Sequence, residues 1–186
     1  MHNATPIPGS PRTRDRIIAS VSDLFYRNGT YLVGVDAIVT HVKITRATFY
    51  RHFPGKEALV VAYLQHRDTA VRDELEALCD EASCRAVVAR IFALLKVKTA
   101  SDAFRGCAFL IAATENPGSV EIQRVAREHK LFLRDLFDRL VPPGPAHDNL
   151  VEQLLVLYEG VLAAAVLRPD ALAAAAAART ADLLLT

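Results

Sequence analysis

Apolar residues recur at helical spacing along nearly the whole chain, and no stretch forms a convincing strand. Ile17, Val21, Leu24 and Phe25 mark a first helix over about residues 12–28, with Gly29 as its stop. Two short helices are expected at about 35–42 and 45–51, separated by a tight turn at Lys43-Ile44 and followed by a break at Pro54-Gly55. From Lys56 a long helix carries Tyr63, Leu64, Val71, Leu75 and Leu78 before the pattern changes at 79–83. Residues 86–98 form the next helix, with Val87, Val88, Ile91, Phe92 and Leu95 inward, and 107–115 is so apolar that burial on most sides is expected. A clear amphipathic stripe (Ile122, Val125, Ala126, His129, Phe132, Leu133, Leu136, Phe137) spans 120–140 and ends before Pro142-Pro143-Gly144-Pro145. Helices at 150–167 and 172–185, joined at Arg168-Pro169-Asp170, complete an all-α chain of about nine helices. The last is rich in alanine, the strongest helix former and small enough for close helix approach.

The pair at 35–51 is a helix-turn-helix, and the residues on its second helix carry chemistry suited to DNA. Thr45 is a natural N-cap, which leaves Arg46, Ala47 and Thr48 on the first turn, where a helix entering a major groove meets base edges. Arg46 is suited to bidentate contact with guanine, and Thr48 to a base edge or a phosphate. Tyr50, Arg51, His52 and Lys56 follow, placed for the phosphate backbone. Phe49 and Phe53 read as core, packing with Ile38 against the apolar face of the first helix.

The run ITRATFYRHFPGKEAL, with the preceding TRDRIIASVSDLFYRNG, resembles the DNA-binding domain of the TetR family of bacterial transcriptional regulators, over about residues 13–64. Three positions depart from the family pattern. Val33-Gly34 stands where a Thr or Ser pair is common, Lys43 where Gly is, and Val39 where Ala is. Gly34 can occupy an N-cap but brings no hydroxyl for the helix end or a phosphate. Lys43 costs about 1 kcal/mol if its turn needs a left-handed residue. FRGCAFLIAATENP, at 104–117, is similar to a stretch in one subgroup of the family. The resemblance implies a three-helix DNA-binding domain at 12–64 after a flexible arm at 1–11, then a helical ligand-binding and dimerisation domain at 65–186. It implies a DNA-binding regulator, a repressor released by a small-molecule effector. A helical small-molecule binder with a degenerate DNA module is the second reading, resting on Gly34 and Lys43.

Charge sharpens this division. Residues 1–60 hold 8 Lys+Arg against 4 Asp+Glu, and the remainder 14 against 17, so the +1 of the whole chain conceals a basic module facing DNA on an acidic body. Cys79, Cys84 and Cys107 have neither CxxC spacing nor companion histidines, which points to no disulfide framework, no metal, no cofactor and a reducing cytoplasm. No signal peptide is apparent, and no apolar run comes near the roughly 20 residues of a membrane span. The usual catalytic motifs are missing, so an enzyme is not expected.

In the body, a ligand pocket is expected to draw on Tyr63, Phe92, Phe104, Cys107 and Ile111, with Thr114, Glu115, His129 and Tyr158 as further aromatic or polar handles. Each has a structural alternative as ordinary core. Leu150, Leu154, Leu157 and Val161, with Leu172 and Leu183, occupy more than one face of the last two helices and are expected at a homodimer interface. A two-fold dimer would span a roughly palindromic operator. The helix from Lys56 would serve as a lever between the two domains.

Overall fold

The structure, a computed structural model, describes residues 11–79, 83–168 and 171–186. Among these are nine α-helices and no strand: α1 (Pro11–Asn28), α2 (Val35–Val42), α3 (Arg46–His52), α4 (Lys56–Glu76), α5 (Cys84–Thr99), α6 (Ala108–Glu115), α7 (Val120–Leu140), α8 (His147–Leu167) and α9 (Leu172–Leu184). The expected arm at 1–11 lies outside the described residues except for Pro11, the first residue of α1, and so do parts of the breaks at 79–83 and 168–170. The chain divides into two compact units, one of residues up to Asp68 with Ala108–Ala126, the other of Thr69–Cys107 with Arg127–Thr186. The first unit therefore includes α6 and the first turns of α7, which the sequence assigns to the body. Hydrogen bonds from Thr30 and Tyr31 to Glu115 account for their place there.

In the first unit, local rules set the helix ends. Gly29 (φ +79°) ends α1 in the left-handed conformation, its N–H donating to the Phe25 carbonyl at 2.9 Å. At the end of α2, Lys43 takes the same conformation (φ 57°), and the N–H groups of Lys43 and Ile44 donate to the carbonyls of Thr40 and Val39. Thr45 caps α3, its Oγ1 accepting from the Thr48 N–H at 3.1 Å. Ile17, Val21, Phe25, Ile38, Phe49 and Phe53 are buried as expected, while Leu24 is only half-buried. Full burial of each phenylalanine contributes on the order of 1.5–3 kcal/mol. The phenyl ring of Phe25 meets Tyr63 edge-on at 5.4 Å, tying α1 to α4. Helix α6 is less buried than its composition implies: Ala108, Phe109 and Ala112 face inward, but Leu110 is 53% exposed and Thr114 is also exposed. Its apolar residues exceed what one packed face can cover.

The second unit is built on α5, α8, α9 and the rest of α7, around Phe92, Leu133, Leu136, Phe137, Val151 and Leu154. Ala174, Ala177 and Ala181 are buried at helical spacing, so α9 meets α5 and α8 through methyl groups. Arg85–Asp182, Lys98–Glu74 and Arg139–Glu76 pair across its exterior, where water screens them. Contrary to the sequence reading, one described helix, α8, is long and apolar enough to cross a membrane by length and composition. Unbroken apolar runs within α8 are short because Asp148, Glu152 and Glu159 interrupt it. It is a core helix here: Val151, Leu154, Tyr158, Val161 and Ala165 are buried, and Glu152 and Glu159 pair with Arg134 (3.1 Å) and Lys130 (3.0 Å).

The left-handed Lys43 is the one non-glycine residue with positive φ among those described. Lys43→Gly is expected to raise stability by about 0.5–1 kcal/mol, the relief of Cβ strain exceeding the added unfolded-state entropy. Denaturant midpoints at unchanged m-value would show it, and a neutral or destabilising result would mean that the turn is not strained.

Candidate nucleic-acid interface

The helix-turn-helix presents one polar face. Beneath it, Phe49 is fully buried and Phe53 is 1% exposed, with ring centroids 6.0 Å apart, so α3 cannot rotate without uncovering them. Above it, Arg46, Ala47, Tyr50 and Arg51 are exposed and Thr48 is half-buried. The Thr48 hydroxyl lies 2.9 Å from that of Thr45, which fixes the first turn of α3 twice over. Arg46 pairs with Asp36 of α2, and the side chains are 63% and 72% exposed. An exposed pair of this kind holds the guanidinium in place but yields it at a cost of about 1 kcal/mol or less. Asp36 is a residue that sequence reasoning passed over, although its place on the first turn of α2 was visible.

Other expected contacts are placed differently. Gly34 is the N-cap of α2 without a side-chain bond, and a Cβ there would meet nothing within 4 Å. Lys43 is exposed at the turn, at the edge of the same face. His52 is half-buried, and its Nε2 is buried with no hydrogen-bond partner, so that atom does not point to a phosphate. Lys56 is also half-buried. Its ammonium donates to the Tyr31 carbonyl at 2.7 Å and lies 5.8 Å from the Tyr31 ring centroid. Burial lowers its pKa below the ordinary lysine value, and the nearby Glu115 partly offsets this. One of the three ammonium hydrogens is thus committed within the protein. Arg14 stacks over Phe53 at 5.1 Å beside this face.

The nine residues expected in a ligand pocket are divided between the two units. Tyr63, Ile111, Thr114 and Glu115 belong to the first unit, whereas Phe92, Phe104, Cys107, His129 and Tyr158 belong to the second. Tyr63 and Phe92 are core, and the Thr114 hydroxyl is turned back on the carbonyls of Leu110 and Ile111, both at 2.9 Å. Glu115 is taken by the α1–α2 loop, so its carboxylate is not free in a pocket. Tyr158 packs edge-on against Phe137 at 6.2 Å, and burial pushes its phenol pKa up, with Cys107 and Glu74 adding to the rise. An open cleft of about 500 Å³ in the first unit is lined by Arg14, Pro54, Gly55, Glu57, Ala58, Val61, Gln65 and Glu121, none of them among the nine.

The expected dimer residues also divide. Leu154 and Val161 are buried in the unit's own core because they share the face of α8 that carries Val151 and Tyr158. Leu150 and Leu157 are half-buried, while Leu172 and Leu183 are 73% and 71% exposed.

Comparison with known proteins bears on both units. The family model of bacterial regulatory proteins, tetR family, matches residues 17–63, which hold the helix-turn-helix. A search of curated proteins finds no match. The chain is similar to the crystal structure of a TetR-family transcriptional regulator from Streptomyces coelicolor, with 28% identity, 97% of each chain covered and a TM-score of 0.85. A putative TetR transcriptional regulator from Streptomyces avermitilis shares 25% identity over 91% of this chain and 98% of that one, with a TM-score of 0.78. A TetR transcriptional regulator from Legionella pneumophila, at 21% identity, covers 100% of both chains with a TM-score of 0.79 and shows the common fold. The family match falls on the helices that present Arg46 and Thr48, and the fold is shared nearly end to end with TetR-family regulators, which supports a DNA-binding transcriptional regulator.

Proposed function

We propose that this protein is a cytoplasmic homodimeric repressor that reads a roughly palindromic operator through α3 of each copy and is released by a small-molecule effector. The observation that carries the reading is the Thr45-capped α3 itself, held by buried Phe49 and Phe53 with Arg46 turned outward. Arg46 and Thr48 make the base-edge contacts, and Tyr50, Arg51, Lys43 and the free hydrogens of Lys56 meet phosphates.

The second copy covers the outer faces of α8 and α9. On α8, Val156, Gly160, Ala163 and Leu167 are exposed at helical spacing, and on α9, Leu172, Ala176, Thr180 and Leu183 are. The small residues allow close helix approach between large apolar ones, and a stable pair needs about 800 Å² from each partner. A two-fold dimer sets the recognition helices about one DNA turn or a multiple apart. The effector is assigned to the second unit, where Phe104, Cys107, His129 and Tyr158 combine apolar surface with polar atoms. To lower operator affinity a hundredfold it need distinguish the two dimer states by only about 2.7 kcal/mol.

Arg46→Ala is expected to cost about 1–3 kcal/mol in operator affinity and relax preference at one base pair. Arg51→Ala should weaken all sequences alike and reduce the salt slope by about one. Identical, sequence-independent losses in both would remove Arg46 from base reading. Sedimentation at micromolar concentration should give a dimer, converted to monomer by Val156→Glu, and a monomeric wild type that stays so on DNA would sink the two-fold reading. An effector that raises the melting temperature must bind the DNA-bound dimer more weakly by the same factor by which it weakens operator binding. Equal affinity for both forms would disqualify that compound as the inducer.

A further inference from the structure

Glu115, the last residue of α6, lies 85 residues from the loop that follows α1, yet one of its oxygens takes three hydrogen bonds there. The Thr30 N–H donates to Oε2 at 2.6 Å, the Thr30 hydroxyl at 2.8 Å and the Tyr31 N–H at 3.1 Å. Successive N–H groups after a left-handed glycine form a concave nest for an anion, and a carboxylate of the protein itself fills this one. The fit is close. A Cβ on Gly29 would come within 2.2 Å of Glu115 Oε1, in a backbone conformation (φ +79°) that already disfavours side chains.

The surroundings complete a closed set of partners. Asn116 Nδ2 donates to Thr30 Oγ1 at 2.8 Å and to the Ala112 carbonyl at 2.8 Å, so the Thr30 hydroxyl accepts from one neighbour and donates to the other. Lys56, at the start of α4, donates to the Tyr31 carbonyl at 2.7 Å, and its charge is attracted by Glu115. Thr30 is 2% exposed, although it lies in a loop whose neighbours Tyr31 and Leu32 are 67% and 81% exposed. Only three residues separate Thr30 from Gly34, the N-cap of α2. The backbone at 30–31 is thus held by hydrogen bonds just before the helix-turn-helix begins, with buried Val33 the next anchor.

We propose that Glu115 is a positioning residue for operator recognition, its carboxylate fixing the loop that sets the pose of α2 and hence of α3. It acts through Thr30 and Tyr31 without touching DNA. This role rests on the DNA-binding reading above, and charge-assisted bonds to three donors make the carboxylate a stronger anchor than a neutral amide.

The test uses the full-length protein and a duplex that the wild type selects from a randomised pool, with a scrambled duplex as control. Glu115→Ala should weaken binding to the selected duplex at least tenfold and leave the scrambled duplex nearly unchanged, because the approach angle is lost while the basic face remains. Glu115→Gln, which keeps one acceptor, should fall between, and Thr30→Val should also weaken selective binding. Combining Thr30→Val with Glu115→Ala should add little to the alanine change alone, since both break one network. Hydrogen exchange at the Thr30 and Tyr31 amides should quicken in Glu115→Ala while core amides stay protected. Should the alanine variant not fold, Glu115→Gln and Thr30→Val carry the same comparison. Quickened exchange at these two amides with wild-type selectivity would overturn the proposal, and so would equal loss on both duplexes. A wild type that selects no duplex would overturn the DNA-binding reading and this role with it.

Discussion

A helix of seven residues has too few internal hydrogen bonds to offset its own nucleation, so α3 exists because something outside it holds it. Burial of Phe49 and Phe53 does most of this, at about 1.5–3 kcal/mol for each ring. The Thr45 cap contributes about 1 kcal/mol more and, with Thr48, specifies where the first turn starts. Arg46, Thr48, Tyr50 and Arg51, the α3 residues proposed to meet DNA, are displayed by that buried pair. The surrounding helices can be understood as the means of keeping the two rings covered.

The rest of the first unit follows from the same need. Phe25 and Tyr63 lock α1 to α4, and the His41 ring nitrogen donates to the Ser20 carbonyl at 3.0 Å, tying α2 to α1. The left-handed residues Gly29 and Lys43 end α1 and α2 by the same geometry at different cost, since only glycine adopts it without strain. The second unit solves a different problem. Its three buried alanines let α9 approach closely, and the large side chains of α5, α7 and α8 supply the buried area.

Helical periodicity made the element order, the all-α class and the placement of α2 and α7 legible, because each depends on spacing within one segment. Neighbours were less visible. Leu154 and Val161 look the same in sequence whether they face α5 or a partner, and Leu110 reads as buried until the single packed face of α6 is seen. The capped, outward-facing first turn of α3 was legible because Thr45, Arg46 and Phe49 are local to one helix. The anchoring of Thr30 by Glu115 was not, since a hydrogen bond spanning 85 residues has no local signature, and a glutamate beside apolar residues looked like a pocket group. The bond from Lys56 to the Tyr31 carbonyl, formed across 25 residues, has no local signature either.

The membership of α6 in the first unit bears on how such proteins are recombined. Joining the first 64 residues to another regulator's body would transfer the recognition helix and leave behind the carboxylate that occupies the Thr30–Tyr31 nest. The recipient would need an acid at the end of its own sixth helix, or the graft would leave the Thr30 amide and hydroxyl and the Tyr31 amide without their acceptor. The portable piece is therefore discontinuous: two stretches of chain that must be exchanged together.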